Sequence, residues 1–397
     1  MNKNILGLYS KYPCFTGHNE HYTKAKGVYI WSNGKKLLDM SYFGLGSCLL
    51  GYANPVVNKA VKKVINRGNI CTLNDPNEIE LAEILSQKYF NGNALCRYTR
   101  SGGEAIAMAM TIAKENTDKK GILRQGYNGW HAENMVCKKF NYNDIPSFID
   151  NIDDSIGIVI CEEIRDKIPE ITCFKIIHDE CKKRGIIIIL DCISSGFRYE
   201  NKYIRETLEP DIIVLGKAIS NGYAMSAIVG KTEIMENGKN AFISSNYFTE
   251  SMGTAAAIAT IKELEKINIR ESRYYHKYHI YLYDIGAKIM DIWQVCSDKY
   301  KIDIEINENP SLAHFNFKDE KWYKEYRTIF VHEFEKYGIL ANTSFYPTYA
   351  HNEKHIEKYR KICDKVFSEI SKYKDYPDIH CEKNGWKIIE DRPIKIT

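Results

Sequence analysis

The clearest pattern along the chain is a series of short, wholly apolar runs separated by amphipathic stretches. Ile156–Cys161 (IGIVIC), Ile186–Leu190 (IIIIL) and Ile212–Leu215 (IIVL) are rich in β-branched residues and offer no polar face. Such runs fit strands buried on both sides, as in a parallel sheet covered by helices. Between the first two, Phe174, Ile177 and Cys181 recur at spacings of three and four, which predicts a helix over Phe174–Arg184 that Gly185 stops. Ala105, Met108, Ala109 and Ile112 mark a second helical face. Near the start, Val28–Trp31 and Lys36–Met40 read as strand-like pieces around the turn Ser32-Asn33-Gly34. From Asn268 onward the texture shifts to Tyr-, Lys- and Glu-rich helix-like stretches such as Ser272–Ile285 and Lys321–Tyr337. The expectation is an α/β chain in two domains. A large domain over 53–285 would hold a mixed, mostly parallel sheet between helices. Residues 1–52 and 286–397 would build a smaller α+β domain.

Composition changes this picture mainly by exclusion. The 397 residues carry 55 Lys+Arg and 51 Asp+Glu, a net charge of +4, which is too small an excess for a protein that holds nucleic acid by phosphate neutralisation. Hydrophobic residues at 44% and charged residues at 27% fit a globular fold rather than disorder. No apolar stretch approaches the roughly 20 residues that span a bilayer, and Met1–Ser10 has no secretory h-region. The expectation is therefore a cytoplasmic protein with no membrane segment. The 12 cysteines form no Cys-x-x-Cys pair, and several lie in apolar runs (Cys161, Cys181, Cys192), which fits reduced core thiols better than zinc ligands or disulfides.

Parallel α/β sheets place ligands at the carboxyl ends of their strands. After IIIIL comes Asp191-Cys192-Ile193-Ser194, and after IIVL comes Gly216-Lys217-Ala218, so an acid and a lysine stand at two strand ends. Ser101-Gly102-Gly103 opens the helix marked by Ala105 and offers free backbone N–H groups and a positive dipole end to an anion. Pyridoxal phosphate (PLP) needs these parts together. Its phosphate suits a Gly-rich helix start, its ring nitrogen a carboxylate and its aldehyde a lysine. Tyr127, in Gly126-Tyr127-Asn128-Gly129-Trp130-His131, supplies an aromatic ring to stack on the cofactor. Taken singly, each has a plainer reading, as a cap, a surface charge or core filler.

Six stretches carry a resemblance to a known family: Arg97–Ala113, Gly126–His131, Asp191–Arg198, Pro210–Gly230, Ser244–Ile261 and Gly338–His355. With Gly27–Asp39 and Gly44–Pro55 they cover nearly the whole chain, and Gly216-Lys217-Ala218-Ile219-Ser220-Asn221-Gly222 is the most specific of them. The sequence resembles the class III, glutamate-1-semialdehyde aminomutase-like aminotransferases of PLP fold type I. The resemblance implies that Lys217 forms the Schiff base and moves the proton, that Asp191 pairs with the ring nitrogen, and that Ser101, Gly102 and Gly103 cradle the phosphate. It further implies that Tyr127 stacks on the ring, Ser194 meets the ring hydroxyl, Glu162 supports the site and Thr249 reaches the phosphate of a partner subunit. A homodimer with shared sites follows from the same likeness, as do an amino donor, glutamate, and an aldehyde or ketone acceptor. Ser244–Ile261 and Gly338–His355 resemble members associated with cell-surface carbohydrate pathways.

The chain also departs from that family. Cys192 stands where relatives carry Glu, Asn128 where they carry His, Asn246 where a phosphate-binding Thr is common, Ser251 where Arg is frequent, and Ala224 where Pro is usual. Tyr12–Tyr22 lacks an Arg to bind a substrate carboxylate. The departures leave other readings open: glutamate-1-semialdehyde 2,1-aminomutase itself, another PLP reaction such as racemisation or decarboxylation, and a non-catalytic scaffold. No metal site is expected, because His18, His21, His351 and His355 have no carboxylate at ligand spacing. Gly44-Leu45-Gly46 lacks the third glycine of a dinucleotide loop, and Gly230-Lys231-Thr232 lacks the first glycine of a P-loop, since position 225 is Met225.

Overall fold

The computed structural model describes residues 21–129, 137–141, 144–199, 202–271 and 278–390. The chain divides into two compact units, Pro55–Tyr278 and Met1–Asn54 with His279–Thr397. The terminal unit begins with three short strands, β1 (Tyr22–Lys26), β2 (Tyr29–Ser32) and β3 (Lys35–Met40), paired as an antiparallel meander. Asn33 and Gly34 turn between β2 and β3 with φ of 45° and 76°, a left-handed pair that suits a tight hairpin.

The large unit contains a seven-stranded sheet. Its strands are β4 (Ala94–Thr99), β5 (Gly121–Arg124), β6 (Lys138–Lys139), β7 (Ile156–Glu162), β8 (Ile187–Cys192), β9 (Ile212–Leu215) and β10 (Ser226–Lys231). They lie in the order β4-β10-β9-β8-β7-β5-β6. The five from β9 to β6 are parallel, and β10 runs antiparallel to both β9 and β4, so the sheet is mixed and mostly parallel. Every residue of β7, β8 and β9 is buried, as their unbroken apolar patterns require. The predicted middle helix is present but begins three residues earlier, at Ile171, and ends where Gly185 takes a φ of +62°. Helices α1 (Pro55–Arg67), α2 (Pro76–Phe90) and α3 (Gly102–Lys114) precede or follow β4. The apolar face of α3, with Ala105, Ile106, Ala109 and Ile112, shares one core with Ile158, Ile160, Ile189, Ile212, Val214 and Ile228. Burial of side chains of this size stabilises by roughly 1.5–3 kcal/mol each.

The strand that carries Asp191 is longer and later than its apolar run suggests. Ile186 falls outside β8, while Asp191 and Cys192 fall inside it. The reason is pairing: Asp191 is opposite both Glu162 on β7 and Val214 on β9. Backbone hydrogen bonds from two flanking strands extend the ladder through a polar residue that periodicity alone would exclude.

The terminal unit is completed by β11 (Ile304–Ile306), β12 (Ala313–Phe317), β13 (Ile339–Ala341) and β14 (Ser344–Phe345). β13 adds to β3 in parallel, placing Ile339 opposite Leu38, and β11, β12 and β14 form a second, antiparallel sheet. Helices Tyr278–Tyr300, Tyr323–Lys336 and Glu353–Lys372 enclose a core dominated by Trp293, Phe315, Phe330, Phe334, Tyr359 and Phe367. The expected helix Ser272–Ile285 lies partly outside the described residues. The other, Lys321–Tyr337, is found as Tyr323–Lys336. Among the described residues no helix is long and apolar enough to cross a membrane.

Candidate active site

Register places two carboxylates side by side. Glu162 ends β7 and Asp191 is its lateral neighbour on β8, so both side chains leave the same face of the sheet. Asp191 is buried, accepts the Ile193 N–H at Oδ1 (3.0 Å) and accepts Nδ2 of Asn128 at Oδ2 (3.0 Å). Burial, reinforced by the Glu162 charge, pushes its pKa up to about 6, while the Asn128 and Ile193 hydrogen bonds restrain the rise. Glu162 is held differently. The Arg165 guanidinium donates to it from Nε at 2.8 Å, and the Tyr127 N–H donates to Oε2 at 3.2 Å.

Lys217 follows β9 at the start of a 3-10 turn, Lys217–Ser220, with a φ of 46°. A left-handed non-glycine residue is uncommon and costs of order 1 kcal/mol, a cost found most often at functional positions. Its Nζ donates to Ser194 Oγ at 2.7 Å. Desolvation lowers its pKa to about 8; Arg165 and Arg198 push the same way, against Glu162 and Asp191. At neutral pH a larger fraction of this amine is therefore unprotonated than for an ordinary lysine near 10.4.

The glycines explain how separate segments come this close. Ile193, two residues past Asp191, lies between Gly102 and Gly216: a Cβ on Gly102 would sit 2.9 Å from Ile193 Cδ1, and one on Gly216 would sit 3.1 Å from Ile193 Cγ2. The start of α3, the turn after Asp191 and the residue before Lys217 thus converge on one side chain. Gly126 has a φ of +87°, and a Cβ there would collide with the Glu162 carboxylate. Gly129, at φ +86°, brings the Tyr127 loop against Gly103, whose Cα would lie 3.0 Å from an added Cβ. Ser101 caps α3 in a reciprocal box with Glu104: its Oγ accepts the Glu104 N–H, and Glu104 Oε2 accepts the Ser101 N–H at 2.8 Å. The Gly102 and Gly103 N–H groups form no hydrogen bond among the described residues and keep the anion-binding character of a helix start.

Lys217, Asp191, Ser194, Glu162, Tyr127, Ser101, Gly102 and Gly103 are therefore linked through a continuous set of contacts. Thr249 is not part of it. It is exposed on the 3-10 turn Asn246–Thr249 and lines an 840 Å³ cavity with Glu78, Arg97 and Phe248. Trp130 and His131 lie outside the described residues.

Several residues of the site are not evident in the sequence. Asn128 orients Asp191 and keeps its own Oδ1 buried without a hydrogen-bond partner among the described residues. Glu163 is fully buried, accepts Ser195 Oγ at 2.6 Å and pairs with Arg205 at 3.2 Å. Its charge raises the Cys192 thiol pKa further above the ordinary range, where burial already places it. Glu163, just past the end of β7, thus sets a carboxylate close enough to Cys192 to act on its thiol. Its sequence signal was Glu162-Glu163, two acids ending a wholly apolar run. Arg165 carries the weaker signal of a cation three residues past a strand-end acid.

A family model described as aminotransferase class-III matches residues 16–139 and 123–340. The chain belongs to the class III aminotransferases. Similar proteins include the 2'-deamino-2'-hydroxyneamine transaminase of Streptomyces kanamyceticus, 27% identical over 277 residues that cover 65% of this chain and 68% of that one. A glutamate-1-semialdehyde 2,1-aminomutase of Nitrosopumilus maritimus (strain SCM1) is 28% identical over 297 residues, again 65% and 68%. The fold is that of the PLP internal aldimine form of the FumI protein of Sphingopyxis sp. MTA144, with a TM-score of 0.78 at 21% identity over 89% of this chain and 90% of that one. This class III aminotransferase is an enzyme of PLP fold type I that acts on small molecules, and PLP is its cofactor. The residues present fit that group: a buried carboxylate, a lysine amine of lowered pKa, unengaged N–H groups at Gly102 and Gly103, and the partnerless Asn128 Oδ1.

Proposed function

We propose that this enzyme moves an amino group from glutamate to an aldehyde or ketone acceptor in cell-surface carbohydrate biosynthesis, with Lys217 as its catalytic residue. The observation that carries the reading is the Lys217 amine, brought to a pKa of about 8 and held 2.7 Å from Ser194 within the charge field of Asp191 and Glu162. PLP, when bound, supplies an aldehyde and an electron-withdrawing ring that weakens the bonds at the substrate Cα. Lys217 would bind that aldehyde through Nζ, and the same nitrogen, once displaced by substrate, would take the Cα proton and return it one carbon away. Ser194 Oγ accepts from Nζ and gives the amine a fixed direction. Asp191 would pair with the ring nitrogen, its own orientation fixed by Asn128 and the Ile193 N–H. Tyr127 would cover the ring, with the Arg165 guanidinium 5.9 Å from its centroid. Ser101, Gly102 and Gly103 would hold the phosphate, and Glu162 would hold the Tyr127 loop through the Tyr127 N–H.

The same proposal includes a cytoplasmic homodimer in which Thr249 serves the partner's site. Supporting it, Leu73, Phe242 and Tyr247, on the unit that carries Thr249, are large side chains 79%, 96% and 61% exposed. Light scattering should give twice the chain mass, and a monomer would overturn that part.

The decisive experiment is a half-reaction. Glutamate added to the PLP-loaded enzyme should remove the visible absorbance of the bound cofactor with release of 2-oxoglutarate, and an acceptor should restore it. A panel of keto sugars, aldehyde acids and phosphorylated three-carbon carbonyls identifies the acceptor. Absorbance unchanged by glutamate and by every other amino donor would overturn the reading.

A further inference from the structure

We propose that Glu333, Glu369 and His380 form a binding site for a divalent transition-metal ion, best suited to zinc, within the terminal unit. The three residues stand on three different helices, Tyr323–Lys336, Glu353–Lys372 and Pro377–Lys383. Their donor atoms all lie within 4.8 Å of one another. Sequence spacing hides the set, since 36 residues separate the two glutamates (369 − 333) and 11 separate Glu369 from His380 (380 − 369).

The independent observation is His380. It is only 5% exposed, yet neither ring nitrogen has a hydrogen-bond partner among the described residues. Burying a polar group without a partner is costly, so such a ring calls for a ligand. The ring is also fixed in direction. Tyr373 stacks on it at 3.9 Å between centroids and 25° between planes, and Trp386 meets it edge-on at 5.4 Å. Its Nε2 lies 3.7 Å from Glu333 Oε1. That gap is too long for a hydrogen bond. It is close to the ~3.3 Å that separates two ligands on a tetrahedral zinc with bonds of about 2.0–2.1 Å.

Charge and access agree with a cation. Glu333 is 6% exposed, and Glu369 retains a quarter of its side-chain exposure, which opens the cluster to solvent on one side. Lys336 now pairs with Glu333 at 2.7 Å and Lys372 with Glu369 at 2.8 Å. Both ammonium groups are on long side chains that are 49% and 63% exposed, so they can turn into water at little cost. An imidazole with two carboxylates suits zinc and its neighbours in the transition series better than magnesium or calcium, which prefer oxygen alone. Three protein ligands leave the fourth tetrahedral position to water. A metal held here ties the short helix Pro377–Lys383 to the two long helices and stabilises the folded unit by mass action.

The test titrates zinc chloride into the PLP-loaded enzyme by calorimetry, with metal content measured after desalting. One zinc per chain at micromolar or tighter Kd is expected, together with a rise in Tm on zinc addition. Cobalt(II) in the same site should give visible d–d bands of tetrahedral intensity and no thiolate charge-transfer band. Glu369→Gln and His380→Gln should each weaken binding by about 10-fold or more, with far-UV circular dichroism and the bound-cofactor spectrum retained. Should His380→Gln fail to fold, Glu369→Gln decides, because that side chain is part-exposed. Absence of binding at 100-fold excess zinc, unchanged affinity in Glu369→Gln, or a cobalt–thiolate band placing the ion on cysteines would each overturn the site.

Discussion

The carboxyl ends of β7, β8 and β9 and the aromatic core of the terminal unit are both densely buried, and they are built on opposite principles. The first region packs charges: Glu162, Glu163, Asp191, Arg198 and the neighbouring Lys217 lie within a few residues of three apolar strands. The second packs rings: Phe315 contacts Trp293, Phe317 and Phe330 edge-on at centroid distances of 4.9, 5.2 and 5.4 Å. Buried charge is costly and is retained where chemistry needs shifted pKa values. Ring packing is stabilising and gives no handle for reaction. The contrast teaches that the two regions should respond to mutation in different observables, one in turnover and the other in stability.

The largest expected effect tests the charged region. Lys217→Ala should lower turnover by about 10⁴-fold or more and abolish the yellow colour of the purified enzyme, while the melting temperature of the cofactor-free protein stays within a few degrees. Retained turnover would show that the amine beside Ser194 is not the reacting group. The mirror experiment is Phe315→Ala, which should cost roughly 3–5 kcal/mol in denaturant unfolding. Activity per folded molecule should be kept. A loss of kcat at unchanged stability would erase the distinction between the two regions.

A third measurement sharpens the electrostatics. The rate at which cofactor-free enzyme captures PLP should rise with pH as Lys217 loses its proton, with a midpoint near 8. Asp191 is one of the negative charges that favour the ammonium form, so Asp191→Asn should move that midpoint down. Arg165 disfavours the ammonium form, so Arg165→Gln should move it up. Shifts of the opposite sign in stopped-flow pH profiles would contradict the arrangement. The smallest expected effect is at the helix start. Ser101→Ala removes the cap of α3 and should cost about 0.5–2 kcal/mol in stability. The Kd for PLP should weaken as well, as equilibrium dialysis would register.

Much of the charged region was legible in the chain because its elements are local. Ser101-Gly102-Gly103 before an apolar helical face, Asp191 after IIIIL and Gly216-Lys217 after IIVL are each read within a few residues. The roles of Glu163 and Asn128 were not, because their partners lie on other segments of the chain. Glu163 acts on Cys192 and Ser195 of the neighbouring strand and turn, and Asn128 acts on an aspartate 63 residues away. The aromatic core was barely legible for the same reason. Phe315, Phe330 and Phe367 come from one strand and two helices, and nothing in their spacing says that they meet.

The sequence by itself determined that the three central apolar runs are buried strands and which reactive side chains stand near their ends, since burial on both faces demands unbroken apolar runs. Tertiary structure decided the rest. It set the register that puts Glu162 beside Asp191, the antiparallel β10 that closes the far edge of the parallel strands, and the convergence of Gly102 and Gly216 on Ile193. A pKa depends on distances between groups far apart in the chain, and only the packed sheet fixes those distances.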